Sequence, residues 1–298
     1  MKTIQSKTPI SGRIVQGIGG FYTIEKSDGS RITAKPVGIL RHNRQTPMVG
    51  DWVTVEKNGA QDGEYALTAI AERKNVFVRP PVANVDLAVI VFALSNPRPN
   101  TLLLDKLLIA CEVRSVAPII CFTKEDLAKE TDRVVVETYR KTSYPVVVHS
   151  LEAPADAQLA RHMAGKTVFL AGPSGVGKST LTNRLCGGAV MATGGLSAKL
   201  GRGKHTTRHV ALLPLPGGGW ILDTPGFSAL KLTKAAAPER LRDYFPEFVR
   251  GACKFNDCLH LKEPGCAVRA QLAAGEIAPS RYEHYVTLLE ELKGRNRY

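Results

Sequence analysis

The run Gly172, Pro173, Ser174, Gly175, Val176, Gly177, Lys178, Ser179, Thr180 fits the pattern G-x-x-x-x-G-K-[ST], and no other feature of the chain restricts its fold as much. The pattern works only between a strand and a helix. A Gly-rich turn aims successive backbone N–H groups at phosphate oxygens, and the following helix offers its positive N-terminal end. Thr167 to Ala171 reads as that strand and Ser179 to Leu185 as that helix. In this frame Lys178 reaches the β and γ phosphates and Ser179 ligates Mg²⁺. Glycine at 175 and 177 implies positive φ or close approach of a ligand, since alanine would otherwise cost less conformational entropy.

Further along, Trp220 to Asp223 reads as an apolar strand ending in D-x-x-G, Asp223 to Gly226. There Asp223 can hold the Mg²⁺ shell through water and the Gly226 N–H can touch the γ-phosphate. Between the two motifs lies Lys199 to Arg208, a basic, glycine-broken loop with the hydroxyls expected of a first switch. Either Thr206 or Thr207 completes the Mg²⁺ sphere.

The base reader stands upstream of the phosphate loop. Thr123-Lys124-Glu125-Asp126 closes the apolar strand Ala117 to Phe122. A carboxylate at Asp126 can accept from guanine N1–H and the 2-amino group together, whereas adenine offers no such donor pair and is rejected by on the order of 10⁴-fold. Guanine sites usually carry Asn where this chain has Thr123, so a side-chain amide is replaced by a shorter hydroxyl. Ser150, after the strand Pro145 to His149, is the candidate for the loop that closes over the base. The resulting order of base reader, closing loop, phosphate loop, first switch and D-x-x-G is a circular permutation of that found in guanine-nucleotide switches. The apolar strands still predict one sheet with the nucleotide at its carboxyl ends. The second switch now leads directly into the C-terminal segment.

That segment carries Cys253, Cys258, His260 and Cys266 within a short stretch. Three thiolates and an imidazole at such separations can close a tetrahedral structural Zn²⁺ site. The other cysteines, Cys111, Cys121 and Cys186, fall in apolar stretches that look like core, and six cysteines with no secretory segment argue a reducing compartment. No apolar run approaches membrane-spanning length, so the expectation is a cytoplasmic protein without membrane association.

The formal net charge of +13 is unevenly spread. No Asp or Glu occurs from Ala157 to Leu222, while Lys199, Arg202, Lys204 and Arg208 crowd the first switch. One nucleotide does not require so many cations, and a phosphate-rich surface such as RNA is the expected partner. The first 76 or so residues differ from the rest, with short alternating segments (Gly12 to Val15, Phe21 to Ile24, Ser30 to Ala34, Asp51 to Val55, Glu64 to Ile70) separated by turn signals. Five such strands fit a small barrel of the oligonucleotide-binding (OB) type, with Phe21, Tyr22, Arg41 and Arg44 as candidate stacking and phosphate contacts.

The expected fold is therefore multi-domain α/β. It comprises an OB-type barrel over 1–76, a linker over 77–84, a circularly permuted P-loop GTPase domain over 85–232 and a mainly helical zinc-binding domain over 233–298. The chain resembles the ribosome small subunit-dependent GTPase A (RsgA) family through V-G-D-W-V at Val49 to Val53, the T-K-x-D, G-P-S-G-V-G-K-S, L-G-R-G-K-H-T-T and D-T-P-G-F runs, and C-x₄-C-x-H-x₅-C from Cys253. The resemblance implies GTP hydrolysis late in maturation of the small (30S) ribosomal subunit, stimulated by that subunit and its 16S rRNA and followed by dissociation. It also implies Mg²⁺ with the nucleotide and one structural Zn²⁺. Other maturation factors are candidate partners, and a monomer is the default.

After D-x-x-G, where other GTPases place a water-orienting glutamine, this chain has Phe227, whose ring cannot orient water. Slow intrinsic turnover follows, with His205 the candidate for the missing group. A second reading makes the protein an rRNA-binding assembly module whose nucleotide site mainly senses GTP, GDP or guanine alarmones.

Overall fold

The computed structural model describes residues 9–38, 40, 45–57, 65–78, 80–150, 154, 156–188, 210–223, 237–248 and 253–295. The chain divides into two compact units. The first comprises Met1–Leu87, Ala160–Phe169 and Ser179–Phe227, and the second Ala88–Leu159, Leu170–Lys178 and Ser228–Tyr298.

The first unit opens with β1 (Ile10–Ile18), β2 (Phe21–Lys26), β3 (Arg31–Pro36), β4 (Trp52–Lys57) and β5 (Tyr65–Ile70). Strand β1 pairs with both β2 and β4, β3 runs parallel to β5, and β4 pairs with β5, so the five strands close into a barrel. Alternation drives this closure. Ile14, Ile24, Val55 and Leu67 are fully buried; on β2, β4 and β5 the residues flanking them stay at least partly wet, whereas on β1 both neighbours of Ile14, Arg13 and Val15, are buried as well.

The turn into β4 depends on Gly50. Its φ is +91°, and a Cβ there would lie 2.1 Å from the Ala83 carbonyl oxygen, so no side chain fits. The next residue, Asp51, is wholly buried. It accepts the Met48 N–H at 2.7 Å and takes Arg73 in a two-pronged ion pair at 2.7 and 2.8 Å.

The stretch after the barrel carries a hairpin of its own, β6 (Val76–Val78) with β7 (Pro81–Ala83). Two asparagines stitch it down. Asn84 donates to the Gly50 carbonyl and accepts from the Lys74 N–H, and Asn75 bonds both backbone groups of Val85. Phe77 packs edge-on against Phe169 with ring centroids 5.4 Å apart.

Residue Phe169 lies on β11 (Thr167–Ala171), and β12 (Ala211–Pro214) with β13 (Trp220–Asp223) forms an antiparallel hairpin. Strand β13 runs parallel to β11, and β12 meets β1 at Gln16 opposite Ala211. Arg13, 4% exposed, reinforces that seam. Its guanidinium lies 4.6 Å from the Trp220 ring centroid and 5.3 Å from that of Trp52, and it donates to the Asn84 carbonyl.

In the second unit β10 (Val146–Val148) pairs in parallel with β9 (Ala117–Thr123), and β8 (Leu87–Ala93) follows β9 in hydrogen-bonded order. Every residue of β8 is buried, as expected of a strand covered on both faces. The unit contains α1 (Thr101–Glu112), capped by the Asn100 side chain, and α2 (Glu130–Arg140), together with the start of α3 (Asp156–Met163). Toward the C terminus come a 3₁₀ segment (Pro238–Tyr244), then α5 (Ala267–Ala273) and α6 (Pro279–Arg295); α4 is the helix Lys178–Leu185 after the phosphate loop.

The C-terminal segment packs on α1 through Ile109, Leu241, Phe245, Phe248, Tyr285 and Leu288. Inside this apolar cluster sits a charged one. Asp105, wholly buried on α1, meets Arg281 at 2.5 Å, His284 at 2.6 Å and the Tyr139 hydroxyl at 2.5 Å. The other side of the Arg281 guanidinium meets Glu247 at 2.6 and 3.1 Å, and its face lies 4.5 Å from the Phe245 ring centroid. A lone carboxylate on the apolar face of T-L-L-L-D-K-L-L was the trace of this cluster in the sequence.

Each member holds the others' charge in a dry place, so removing one strands the rest. Arg281→Ala leaves two buried carboxylates without their cation, and a loss of about 3–5 kcal/mol is expected in urea unfolding monitored by tryptophan and far-UV signals. A loss below about 1 kcal/mol would show that the cluster adds little to stability.

Candidate nucleotide and metal sites

The phosphate loop turns between β11 and α4 as its pattern requires. Gly172 has φ +141°, Gly175 +80° and Gly177 +93°. The three glycines serve different ends. A Cβ on Gly172 would lie 2.0 Å from the Val91 carbonyl oxygen, so β8 presses directly on the loop, whereas Cβ atoms on Gly175 and Gly177 would meet nothing within 4 Å. Open space combined with left-handed backbone is what a loop that wraps a ligand needs.

Lys178 folds back over this loop and donates to the carbonyls of Gly172 at 2.9 Å and Pro173 at 2.5 Å. Half-burial lowers the pKa of its ammonium from the ordinary lysine value. The cation is thus already desolvated and held by neutral acceptors, which an anionic ligand can replace. Ser179 and Thr180 follow in the first turn of α4, Ser179 half-buried and Thr180 exposed.

The T-K-x-D run, Thr123 to Asp126, lies at the carboxyl end of β9. Strands β9 and β10 are parallel, with Phe122 opposite Val148, and the His149 N–H donates to the Phe122 carbonyl at 2.7 Å. That register brings the buried Ser150 beside the T-K-x-D run. Lys124 takes φ +57° and its ammonium bonds the Asn96 carbonyl, while Asp126 stands exposed in the 3₁₀ turn Glu125–Leu127. Thr123, 4% exposed, donates its hydroxyl to the Val176 carbonyl at 2.6 Å. The T-K-x-D run and the phosphate loop, far apart in sequence, are therefore joined by a direct hydrogen bond. Asp223 closes β13, half-buried. Lys199, Arg202, Lys204, His205, Thr206, Thr207, Arg208, Gly226, Phe227, Arg41 and Arg44 lie outside the described residues.

On the barrel the aromatic pair at 21 and 22 splits. Phe21 is 47% exposed with the Lys35 ammonium 4.5 Å from its ring centroid, whereas Tyr22 is half-buried across from Gly17.

Cys253, Cys258, His260 and Cys266 converge with all ligand atoms within 4.8 Å of one another. His260 Nδ1 lies 3.6 Å from Cys253 Sγ, 3.4 Å from Cys258 Sγ and 3.4 Å from Cys266 Sγ. Metal bonds of about 2.3 Å to sulfur and about 2.0 Å to nitrogen at tetrahedral angles give a nitrogen–sulfur edge of about 3.5 Å, so this donor set fits a single small tetrahedral ion.

The surroundings hold the ligand loop in place. The Glu263 carboxylate accepts the N–H groups of Leu259, Leu261 and Lys262, and Arg242 donates to the carbonyls of Cys258 and Asn256. Burial, with the nearby Arg242 guanidinium, lowers the His260 pKa and favours the neutral, ligating imidazole. Glu263 and Arg242 had no motif to reveal them, because each acts by reaching backbone groups brought close only by folding.

A strand ending in T-K-x-D that precedes the phosphate loop in sequence, behind an OB-type barrel and ahead of a Cys₃His cluster, defines a circularly permuted P-loop GTPase. Residues 70–233 match the RsgA GTPase family and residues 11–64 the RsgA N-terminal domain, and the chain belongs to the RsgA GTPase family. Among its relatives, the small ribosomal subunit biogenesis GTPase RsgA of Caldanaerobacter subterraneus is 44% identical, with 97% of each chain covered. The protein of the same name from Alkaliphilus metalliredigens is 42% identical over 96% of this chain and 99% of its own. Two crystal structures superpose along almost the whole chain. YloQ, described as a circularly permuted GTPase, has TM-score 0.81 and 34% identity, with 99% of each chain covered. YjeQ from Thermotoga maritima has TM-score 0.81 and 33% identity, covering 96% of this chain and 99% of its own.

The contact between Gly172 and Val91 yields a direct test. Gly172→Ala must either shift β8 or open the loop, at a cost on the order of 2–3 kcal/mol. Affinity for GDP, read by titration calorimetry, is expected to fall at least about tenfold, and wild-type affinity would show that the loop accommodates a side chain there.

Proposed function

We propose that this protein is a GTPase of small ribosomal subunit assembly, which binds the immature subunit in its GTP state and leaves after hydrolysis. The observation that carries this reading is the Thr123 bond to Val176, which ties a guanine-reading turn to a phosphate loop. The names of the relatives point to the small subunit. The acid-free run of sequence from Ala157 to Leu222, with Lys199, Arg202, Lys204 and Arg208, carries the charge that 16S rRNA would attract.

Asp126 reads the guanine Watson–Crick edge, with Lys124 shaping the turn and Ser150 in the closing loop. Gly172 to Gly177 wrap the phosphates, Lys178 reaches the β and γ oxygens, and Thr180 follows in the helix. Ser179, Thr206 or Thr207, and Asp223 through water would hold the Mg²⁺ that supplies charge neutralisation at the phosphates. Gly226 contacts the γ-phosphate, and His205 supplies the group that Phe227 cannot. The Cys₃His cluster holds one structural Zn²⁺. Phe21 with Lys35 on the barrel offers a stacking platform for an unpaired base.

The functional layout is an RNA-binding barrel over 1–76, a connecting stretch over 77–84, a GTPase domain over 85–232 and a zinc domain over 233–298. Among the described residues no helix is long and apolar enough to cross a membrane. The proposed setting is the cytoplasm, with the protein acting as a monomer. Because the second switch leads directly into the C-terminal segment, a γ-phosphate-dependent shift there reaches the zinc domain.

The deciding measurement is GTP hydrolysis with and without purified small subunits across a salt series. Large stimulation that falls steeply with salt supports the reading. Unchanged turnover accompanied by nucleotide-dependent RNA binding would make the site a sensor instead. His205→Ala is expected to depress the stimulated rate at least about a hundredfold while leaving GDP affinity within about twofold. Stimulation equal to wild type would remove His205 from the mechanism.

For the metal, elemental analysis of the purified chain is expected to give one zinc per protein, with Cys258→Ser losing it and unfolding at lower temperature. A metal-free protein of unchanged stability would refute the zinc assignment.

A further inference from the structure

We propose that this pocket does not read guanine N7 through position 123, because the Thr123 side chain commits its only hydrogen-bond donor to the phosphate loop. The proposal rests on the guanine-site reading given above and assigns this one residue's part in it. Thr123 is 4% exposed, and its hydroxyl oxygen lies 2.6 Å from the Val176 carbonyl and 3.4 Å from that of Phe92. Both neighbours are acceptors. A threonine hydroxyl carries a single hydrogen, and here it must point at one of the two carbonyls, with the shorter and stronger bond to Val176.

The Hoogsteen edge of guanine presents only acceptors, N7 and O6. A hydroxyl whose hydrogen is already used has nothing to offer them. A side-chain amide at the same position would differ in kind, since its NH₂ group brings two donors and could satisfy the Val176 carbonyl and a purine acceptor together. The Thr123 side chain thus keeps the structural half of such a residue's work, latching the end of β9 to the phosphate loop, without the recognition half. Discrimination among purines then falls to the Watson–Crick edge, where N1–H and the 2-amino group are donors suited to the exposed Asp126 carboxylate.

The consequence is a specificity that can be measured with the full-length protein and four diphosphates, namely GDP, 7-deaza-GDP, IDP and ADP, by titration calorimetry. GDP and 7-deaza-GDP, in which a C–H replaces the N7 acceptor, are expected to bind within about twofold of each other. A loss of about tenfold or more for 7-deaza-GDP on the wild-type protein would overturn the proposal.

Two variants separate recognition from mere folding. Thr123→Val keeps the shape and removes the donor; it is expected to weaken GDP and 7-deaza-GDP by the same factor, at least about fivefold, because the loop loses its latch. Unchanged affinity for both would show that the Val176 bond does not organise the site, which also overturns the proposal. Thr123→Asn restores a spare donor and is expected to create a preference for GDP over 7-deaza-GDP that the wild type lacks. ADP and IDP test the underlying reading independently. If ADP binds as well as GDP, the guanine assignment itself fails, whatever the N7 comparison gives.

Discussion

The contact between the Val91 carbonyl and Gly172 is the constraint on which the nucleotide site depends. At 2.0 Å from a notional Cβ, the backbone of β8 occupies the space any side chain at 172 would need, so the loop can begin there only as glycine. The loop is then held from its other side by Thr123 at the end of β9. Two neighbouring strands, one through a carbonyl and one through a hydroxyl, thus fix the loop that Lys178 covers. Because both grips use main-chain atoms of the loop, its interior faces remain free for phosphate oxygens. A preformed cradle of this kind binds without first having to order itself.

A different device holds the C-terminal segment. The metal-ligand loop carries few apolar residues of its own, and it is held by ions and backbone hydrogen bonds: Glu263 to three N–H groups, Arg242 to two carbonyls, and the Cys₃His set to one another. The rest of the segment is anchored through Arg281, whose charge is shared between Asp105 on α1 and Glu247. A buried ionic cluster has little tolerance for displacement, because a shift that lengthens one pair leaves uncompensated charge in a dry interior. Apolar packing alone is less directional. The Phe245, Phe248 and Tyr285 rings seal the cluster, and Asp105 sets its register on α1.

Much of the site was legible in the sequence because its chemistry needs fixed residue types at short, fixed spacings. The phosphate loop and the four residues that could hold a metal are each contained in a short run, so a local pattern suffices to find them. The barrel was legible for another reason, since turn residues punctuated segments of period two and all five strands formed near the expected places. The parts that could not be read were those made by contact at long range. Asn75 and Asn84, which turn the stretch after the barrel into a bonded hairpin, are ordinary polar residues in sequence. Arg13 gave no hint of the two tryptophans that flank it.

By itself, the amino-acid sequence determined the family and its permuted order: a G-x-x-x-x-G-K-[ST] loop behind a T-K-x-D strand, and three cysteines and a histidine that could hold a metal. These follow from side-chain donors, acceptors and charges, which a residue carries whatever surrounds it. Only the tertiary structure decided what Thr123 does with its hydroxyl. In the sequence that residue is a departure from the usual amide. Folded, it is the bond between two motifs, because the end of β9 comes to lie with its hydroxyl 2.6 Å from the Val176 carbonyl. Which acceptor a single hydrogen finds is a matter of distance, and distance between remote residues exists only once the chain has folded.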